Sequence, residues 1–148
     1  MMKFTLKQAD KEGTELKIDH IGYAVRDIGK ARLSFTVLGF RFEETVYEDM
    51  ERNIYIQFGN KDGYRIELIS PLGDGPSPVD TILRTMGAAP YHLCYVSEDI
   101  ELDIRKLEKR KFKVIIPLAE AVAFGGRRVV FMMNREIGMV EMVESCMD

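Results

Sequence analysis

Asp19-His20-Ile21-Gly22-Tyr23-Ala24-Val25 and Tyr91-His92-Leu93-Cys94-Tyr95-Val96 open two runs of the chain built on one plan. Each reads as a half-buried strand with a histidine near its start, and each precedes a helix-like run. Late in each run comes a strand carrying a glutamate: Arg65-Ile66-Glu67-Leu68-Ile69 in the first, Met139-Val140-Glu141-Met142-Val143 in the second. His20 and Glu67 are 47 positions apart, His92 and Glu141 are 49 apart, and these two are the only histidines of the chain. A His…Glu pair repeated at near-equal spacing is what a two-module protein needs to hold one divalent metal between its halves.

The residues between these anchors repeat as well. Asp27 can cap a helix from Ile28 to about Leu38, with Gly39 as its stop and Ile28, Ala31, Phe35 and Leu38 on one face. Phe40 to Tyr47 and Asn53 to Phe58 read as two strands, and Asn60-Lys61-Asp62-Gly63 as a hairpin turn into a fourth strand, Tyr64 to Ile69. A stretch rich in proline and glycine from Ser70 to Pro78 and a short helix over Val79–Met86 then separate the halves. The second half follows with a strand Tyr91–Val96, a helix Ile100–Arg110, and strands Phe112–Ile116, Arg128–Met132 and Met139–Val143. Pro117 to Gly126 reads as a long loop. The expected fold is therefore α+β: two tandem βαβββ modules, 16–70 and 89–144, joined by a linker 71–88 and forming one curved mixed sheet around a cleft. An N-terminal extension (1–15) and a tail (145–148) flank this single domain of 16–144.

Composition excludes several function classes. Apolar residues make up 46% and charged residues 30%, as in a globular chain, and the net charge is −3. That charge offers no basic field for nucleic acid or an anionic membrane surface. No apolar run approaches membrane-spanning length, and the N-terminus lacks the apolar region of a signal peptide. Cys94 and Cys146 have neither metal-type nor disulfide-framework spacing, which points to a reducing, cytoplasmic setting.

On their strands Glu67 shares a face with Arg65 and Ile69, and Glu141 with Met139 and Val143. Both are polar intruders on apolar strands, and a buried carboxylate must be paired, protonated or bound to a metal. A lone histidine near a strand start is most often structural; the joint pattern is what argues for a site. His20, Glu67, His92 and Glu141 would make an N2O2 set with open positions, suited to one divalent ion, Co, Ni, Zn or Mn. The plainer readings hold elsewhere: Cys94 as a small buried residue, Met132, Met133, Met139 and Met142 as core filling, Arg127 and Arg128 as solvated surface.

At these residues the chain resembles the vicinal oxygen chelate superfamily, which includes glyoxalase I, extradiol dioxygenases, bleomycin-binding proteins and methylmalonyl-CoA epimerases. The likeness runs from about Leu16 to Glu144. His20-Ile21-Gly22-Tyr23-Ala24-Val25-Arg26-Asp27, then Glu67-Leu68-Ile69-Ser70-Pro71-Leu72-Gly73 with Ser77-Pro78, and Gly125-Gly126 before Arg127-Arg128-Val129-Val130-Phe131 are most similar to the epimerases. The Tyr91-His92 pair departs from the His-His of many epimerases.

The resemblance implies metal ligands at His20, Glu67, His92 and Glu141, and a metal-dependent isomerase or lyase that removes a proton next to a carbonyl. Glu141 would move the proton. The second base of an epimerase has no clear counterpart: an ungapped reading reaches Asn53, and the acids nearby are Glu48 and Glu51. The substrate would be a small molecule, an acyl-CoA thioester or a 2-oxo compound, and the protein a homodimer. A glyoxalase I-like lyase and a non-catalytic binding protein of the same fold are the alternatives.

Overall fold

The computed structural model describes residues 3, 5 and 14–146, so the expected N-terminal extension lies almost wholly outside the described residues. The first half comprises β1 (Lys17–Ala24), α1 (Ile28–Val37), β2 (Arg41–Phe42), β3 (Tyr47–Asp49), β4 (Ile54–Lys61) and β5 (Tyr64–Pro71). A short helix, α2 (Asp80–Thr85), lies in the connection. The second half comprises β6 (Ala89–Ser97), α3 (Ile100–Glu108), β7 (Lys113–Glu120), a 3₁₀ turn at Val122–Phe124, β8 (Arg128–Asn134) and β9 (Gly138–Glu144).

The helix ends obey local chemistry. The side chain of Asp27 accepts from Lys30 N at 2.9 Å, and that of Asp99 from Leu102 N at 3.2 Å, so each helix is capped by the aspartate before it. The α1 stop is a Schellman motif: Gly39 (φ 99°) bonds back to Thr36, Phe40 N bonds to Phe35 O at 3.1 Å, and the two phenyl rings meet at 5.2 Å. The stop after α3 uses the same bond, Phe112 N to Leu107 O at 3.1 Å, but the left-handed residue there is Lys111 (φ 69°). A side chain in that conformation costs about 1–2 kcal/mol. Leu38 does not complete the buried face of α1; it is exposed beyond the last turn.

All nine strands join one mixed sheet in the order β2-β4-β5-β1-β6-β9-β8-β7, with β3 paired to β4 as well. Within each half the first and last strands run parallel, β1 beside β5 and β6 beside β9. The halves fuse where β1 meets β6 antiparallel. The period-2 alternation then sorts the side chains. Ile66 and Leu68 pack with Ile28 beneath α1, and Val130, Met132 and Met142 pack with Ile100 beneath α3. The opposite face of the sheet carries Ile54, Ile56, Phe58, Ile69, Val129 and Val143 into a central core shared by both halves. At roughly 1.5–3 kcal/mol for each large apolar side chain, that shared core supplies an ample driving force for the halves to join.

Two elements differ from the sequence expectation. The predicted strand Phe40–Tyr47 is two short pieces, because Gln57 Nε2 takes the Glu43 carbonyl at 2.7 Å and interrupts the ladder along β4. The predicted loop Pro117–Gly126 begins as strand: β7 runs on to Glu120. Pro117 is tolerated there because β7 is the outermost strand and its pairing with β8 shifts between Ile116 and Ala119. The 62–63 turn matches expectation, with Asp62 (φ 51°) and Gly63 (φ 83°) both left-handed between β4 and β5.

Candidate metal centre

Four consecutive strands at the middle of the sheet, β5-β1-β6-β9, each bring one polar side chain to the central core: Glu67, His20, His92 and Glu141. All four are buried, none more than 5% exposed. One donor atom from each lies within 4.8 Å of every other. His20 Nε2 stands 3.3 Å from Glu141 Oε1 and 3.5 Å from Glu67 Oε1, while His92 Nε2 stands 3.1 Å from Glu141 Oε1 and 3.9 Å from Glu67 Oε1. Donors about 2.1 Å from a common ion would sit roughly 3.0–3.4 Å apart, so the cluster is close to ligand spacing.

The two imidazoles are held differently. Asp19 Oδ2 lies 2.7 Å from His20 Nδ1 and also accepts from Arg65 Nη1 at 3.0 Å, and the Arg65 guanidinium lies 3.8 Å over the Phe58 ring. His20 stacks on Phe124 at 5.7 Å. The result fixes the ring and leaves Nε2 buried without a hydrogen bond, although two carboxylates stand near it. A carboxylate on one imidazole nitrogen with the other free is the usual support of a metal-binding histidine. His92 has no such carboxylate. Its Nε2 bonds Glu141 Oε1, its Nδ1 is the orphan, and its ring lies over Gly22 and against Phe131. Gly22 pairs with His92 across the seam, and a Cβ on Gly22 would land within the imidazole. The matching position in the other half is Cys94, which pairs with His20.

Electrostatics make the cluster receptive to positive charge. Burial pushes the His20 imidazole down, but Glu67, Asp19 and Glu141 together outweigh it and hold its pKa at about 11. Burial pushes the Glu141 carboxyl up, yet the two imidazoles prevail and hold it at about 2. The bond from His20, with help from Arg65, lowers Asp19. Two imidazole nitrogens and two carboxylates, with an orphaned buried nitrogen aimed at the carboxylate oxygens, fit a divalent cation that displaces the imidazole proton.

The two carboxylates of the cluster, Glu67 and Glu141, border a cavity of about 110 Å³ whose walls include Ile54, Ile56, Ile69, Val129 and Phe131. Three further polar groups reach it that sequence reasoning did not assign: Asp49, Arg52 and Tyr91. Burial and the carboxylates of Glu67 and Glu141 push the Tyr91 phenol well above 10, which keeps it a hydrogen-bond donor. Glu48 and Glu51, expected as candidates for a second base, are exposed and do not line the cavity. The short strand β3 turns Asp49 inward and buries it, which sends its neighbour Glu48 outward, and Glu51 lies in the turn beyond. Asn53, the ungapped match, has φ 58° and spends its side chain on Gly73, Gly75 and Pro76.

The chain belongs to the glyoxalase/bleomycin resistance protein/dioxygenase superfamily, whose family model matches residues 19–131. It is similar to the mitochondrial methylmalonyl-CoA epimerase of Bos taurus, 26% identical over 125 residues that cover 84% of this chain and 70% of that protein. Its fold matches the crystal structure of methylmalonyl-CoA epimerase from Mycobacterium tuberculosis, with a TM-score of 0.74, 20% identity and 88% of each chain covered. It also matches a variant of the Streptomyces coelicolor methylmalonyl-CoA epimerase in complex with 2-nitronate-propionyl-CoA, with a TM-score of 0.72, 20% identity, and 88% of this chain and 97% of that one covered. Among the described residues no helix is long and apolar enough to cross a membrane.

Proposed function

We propose that the chain is a metal-dependent isomerase or lyase that abstracts a proton next to a carbonyl, acting on an acyl-CoA thioester of the methylmalonyl type. The observation that carries this reading is the convergence of His20, Glu67, His92 and Glu141 on one point beside a largely apolar cavity. These four would hold one divalent ion, Co, Ni, Zn or Mn, and that ion would polarise the substrate carbonyl and so acidify the adjacent C–H. Glu141 is the group assigned to move the proton, since the two imidazoles outweigh its burial and keep it ionised and able to accept. Tyr91 is placed to donate a hydrogen bond to oxygen that gains negative charge, and the apolar walls exclude water from the carbanion.

An epimerase also needs a proton carrier on the opposite face of the carbon. Asp49 replaces Glu48 and Glu51 in that role here, as the buried acid beside the cavity that is not a member of the four-residue cluster. Its two oxygens are engaged by Arg52, however, and this favours a second reading in which Glu141 alone removes and returns the proton, as a lyase of the glyoxalase I kind would require. The working unit in either case is 16–144, with modules 16–70 and 89–144, and the expected setting is a homodimer in the cytoplasm, where the free cysteines suit a reducing medium.

The test is metal analysis of the purified protein, followed by solvent-deuterium exchange into methylmalonyl-CoA and into a methylglyoxal–thiol hemithioacetal. Exchange into the thioester with inversion supports the epimerase, and turnover of the hemithioacetal alone supports the lyase. Glu141→Gln should lower either rate by about 10²–10⁴-fold. No exchange into either compound by the metal-loaded protein would leave only a binding protein of this fold.

A further inference from the structure

We propose that Arg52 is the anchor for a carboxylate on the substrate, and that the incoming carboxylate takes Arg52 away from Asp49. This rests on the cavity being the carbon-acid site, and it narrows the substrate class to thioesters whose acyl group carries an anion.

Among the described residues lining the cavity, Arg52 is the one basic side chain, facing Asp49, Glu67 and Glu141. Three carboxylates around so small a space would repel an anionic acyl group, so a site that accepts one needs a cation beyond the proposed metal. Arg52 Nη1 reaches Asp49 Oδ2 at 2.7 Å, and its backbone N bonds Asp49 Oδ1 at 3.1 Å. Nη2 crosses to the other half of the molecule and bonds the Glu120 carbonyl at 3.2 Å. The guanidinium is thus held from both modules at the cavity wall, and its side chain keeps 18% of its surface exposed while Asp49 keeps 6%. A guanidinium carries five N–H donors in a planar fork matched to a carboxylate, and here two of them serve groups of the protein. A substrate carboxylate can take the fork in place of Asp49, and the site then carries one more negative charge. Asp49 then loses its guanidinium partner and stands beside the cavity with a free oxygen, which is the condition for it to carry a proton. The competing reading is that the pair only closes the turn 49–52, in which case Arg52 would not sense the charge of the ligand.

Calorimetric titration of the metal-loaded protein with malonyl-CoA, propionyl-CoA and malonate separates these readings, using wild type, Arg52→Gln and Arg52→Lys. Arg52→Gln should weaken malonyl-CoA and malonate by about 10–100-fold, as expected for a charge-assisted pair, and leave propionyl-CoA within about threefold. Arg52→Lys should recover part of the loss, because it keeps the charge without the fork. Thermal unfolding of both variants reports whether the turn survives. Equal weakening of malonyl-CoA and propionyl-CoA, unaltered malonate binding in Arg52→Gln, or no malonate binding by wild type would each overturn the assignment. Should wild type bind malonate through Arg52 yet exchange no α-proton with deuterated solvent, the Arg52 assignment stands and the catalytic reading falls.

Discussion

His20 and His92 occupy the same place in two copies of one module, yet the protein supports them by opposite means. His20 is gripped by charge: Asp19 on Nδ1, Arg65 on Asp19, and Phe124 across the ring. His92 is gripped by shape: Gly22 removes the side chain that would occupy its space, and Phe131 and Tyr91 meet its edges. The same divergence shows in the helix stops, where one half has Gly39 and the other bears the strain of Lys111. The two halves share a strand order and a pair of donor residues, while each holds those residues in its own way.

The sharpest way to break this comparison is to remove the shape of the second site. Gly22→Ala should displace the His92 ring and lower metal affinity by about 100-fold or more, with a stability loss of about 1–3 kcal/mol from overpacking. Cys94→Ala, at the matching position opposite His20, should leave affinity within about threefold. Competition against a chromophoric chelator measures both, and equal effects of the two would show that the halves are supported alike.

Asp19→Asn tests the charge grip of the first site. Loss of an outer carboxylate of this kind typically costs about 10–100-fold in metal affinity, and the ion-free protein should remain folded. An unchanged affinity would show that packing against Phe124 suffices to hold His20.

The smallest effect is in protons. Without an ion the folded His20 keeps its proton up to about pH 11 against an ordinary 6.5, so its contribution to stability is full below pH 6.5 and is lost as pH rises through 11. Glu141 runs the other way: its pKa falls from 4.5 to about 2, and its contribution is present above pH 4.5 and lost as pH falls through 2. A metal needs the lone pair on His20 Nε2, so binding at pH 7 should expel about one proton per ion, and affinity should rise up to about tenfold per pH unit until pH approaches 11. Calorimetry in buffers of different ionisation heat reads the release directly; no release at pH 7 would mean that His20 is already neutral and that the charge grip is weaker than its contacts imply.

Much of this architecture was legible in the residues. Asp27, Gly39 and the Asp62-Gly63 turn act through their own backbone within a few positions, so their signals are local. His20, Glu67, His92 and Glu141 were legible because a repeat doubles the signal of each pair. What escaped the reading depends on distant neighbours. The break between β2 and β3 is made by the Gln57 side chain, and Pro117 is strand only because β7 is an edge. The three residues of β3 are too few for alternation to tell Asp49 from Glu48. Arg52 gained meaning only from Glu120, 68 positions away.

The order β5-β1-β6-β9 has a consequence for inheritance. Each half of the chain contributes one nitrogen and one oxygen donor, and they meet only across the β1–β6 seam. Neither half alone could retain an ion, so selection for the ion would act on the pair and never on the single copy. Once fused around such a centre, the two repeats are free to drift in every respect except those four side chains and whatever keeps them pointed inward.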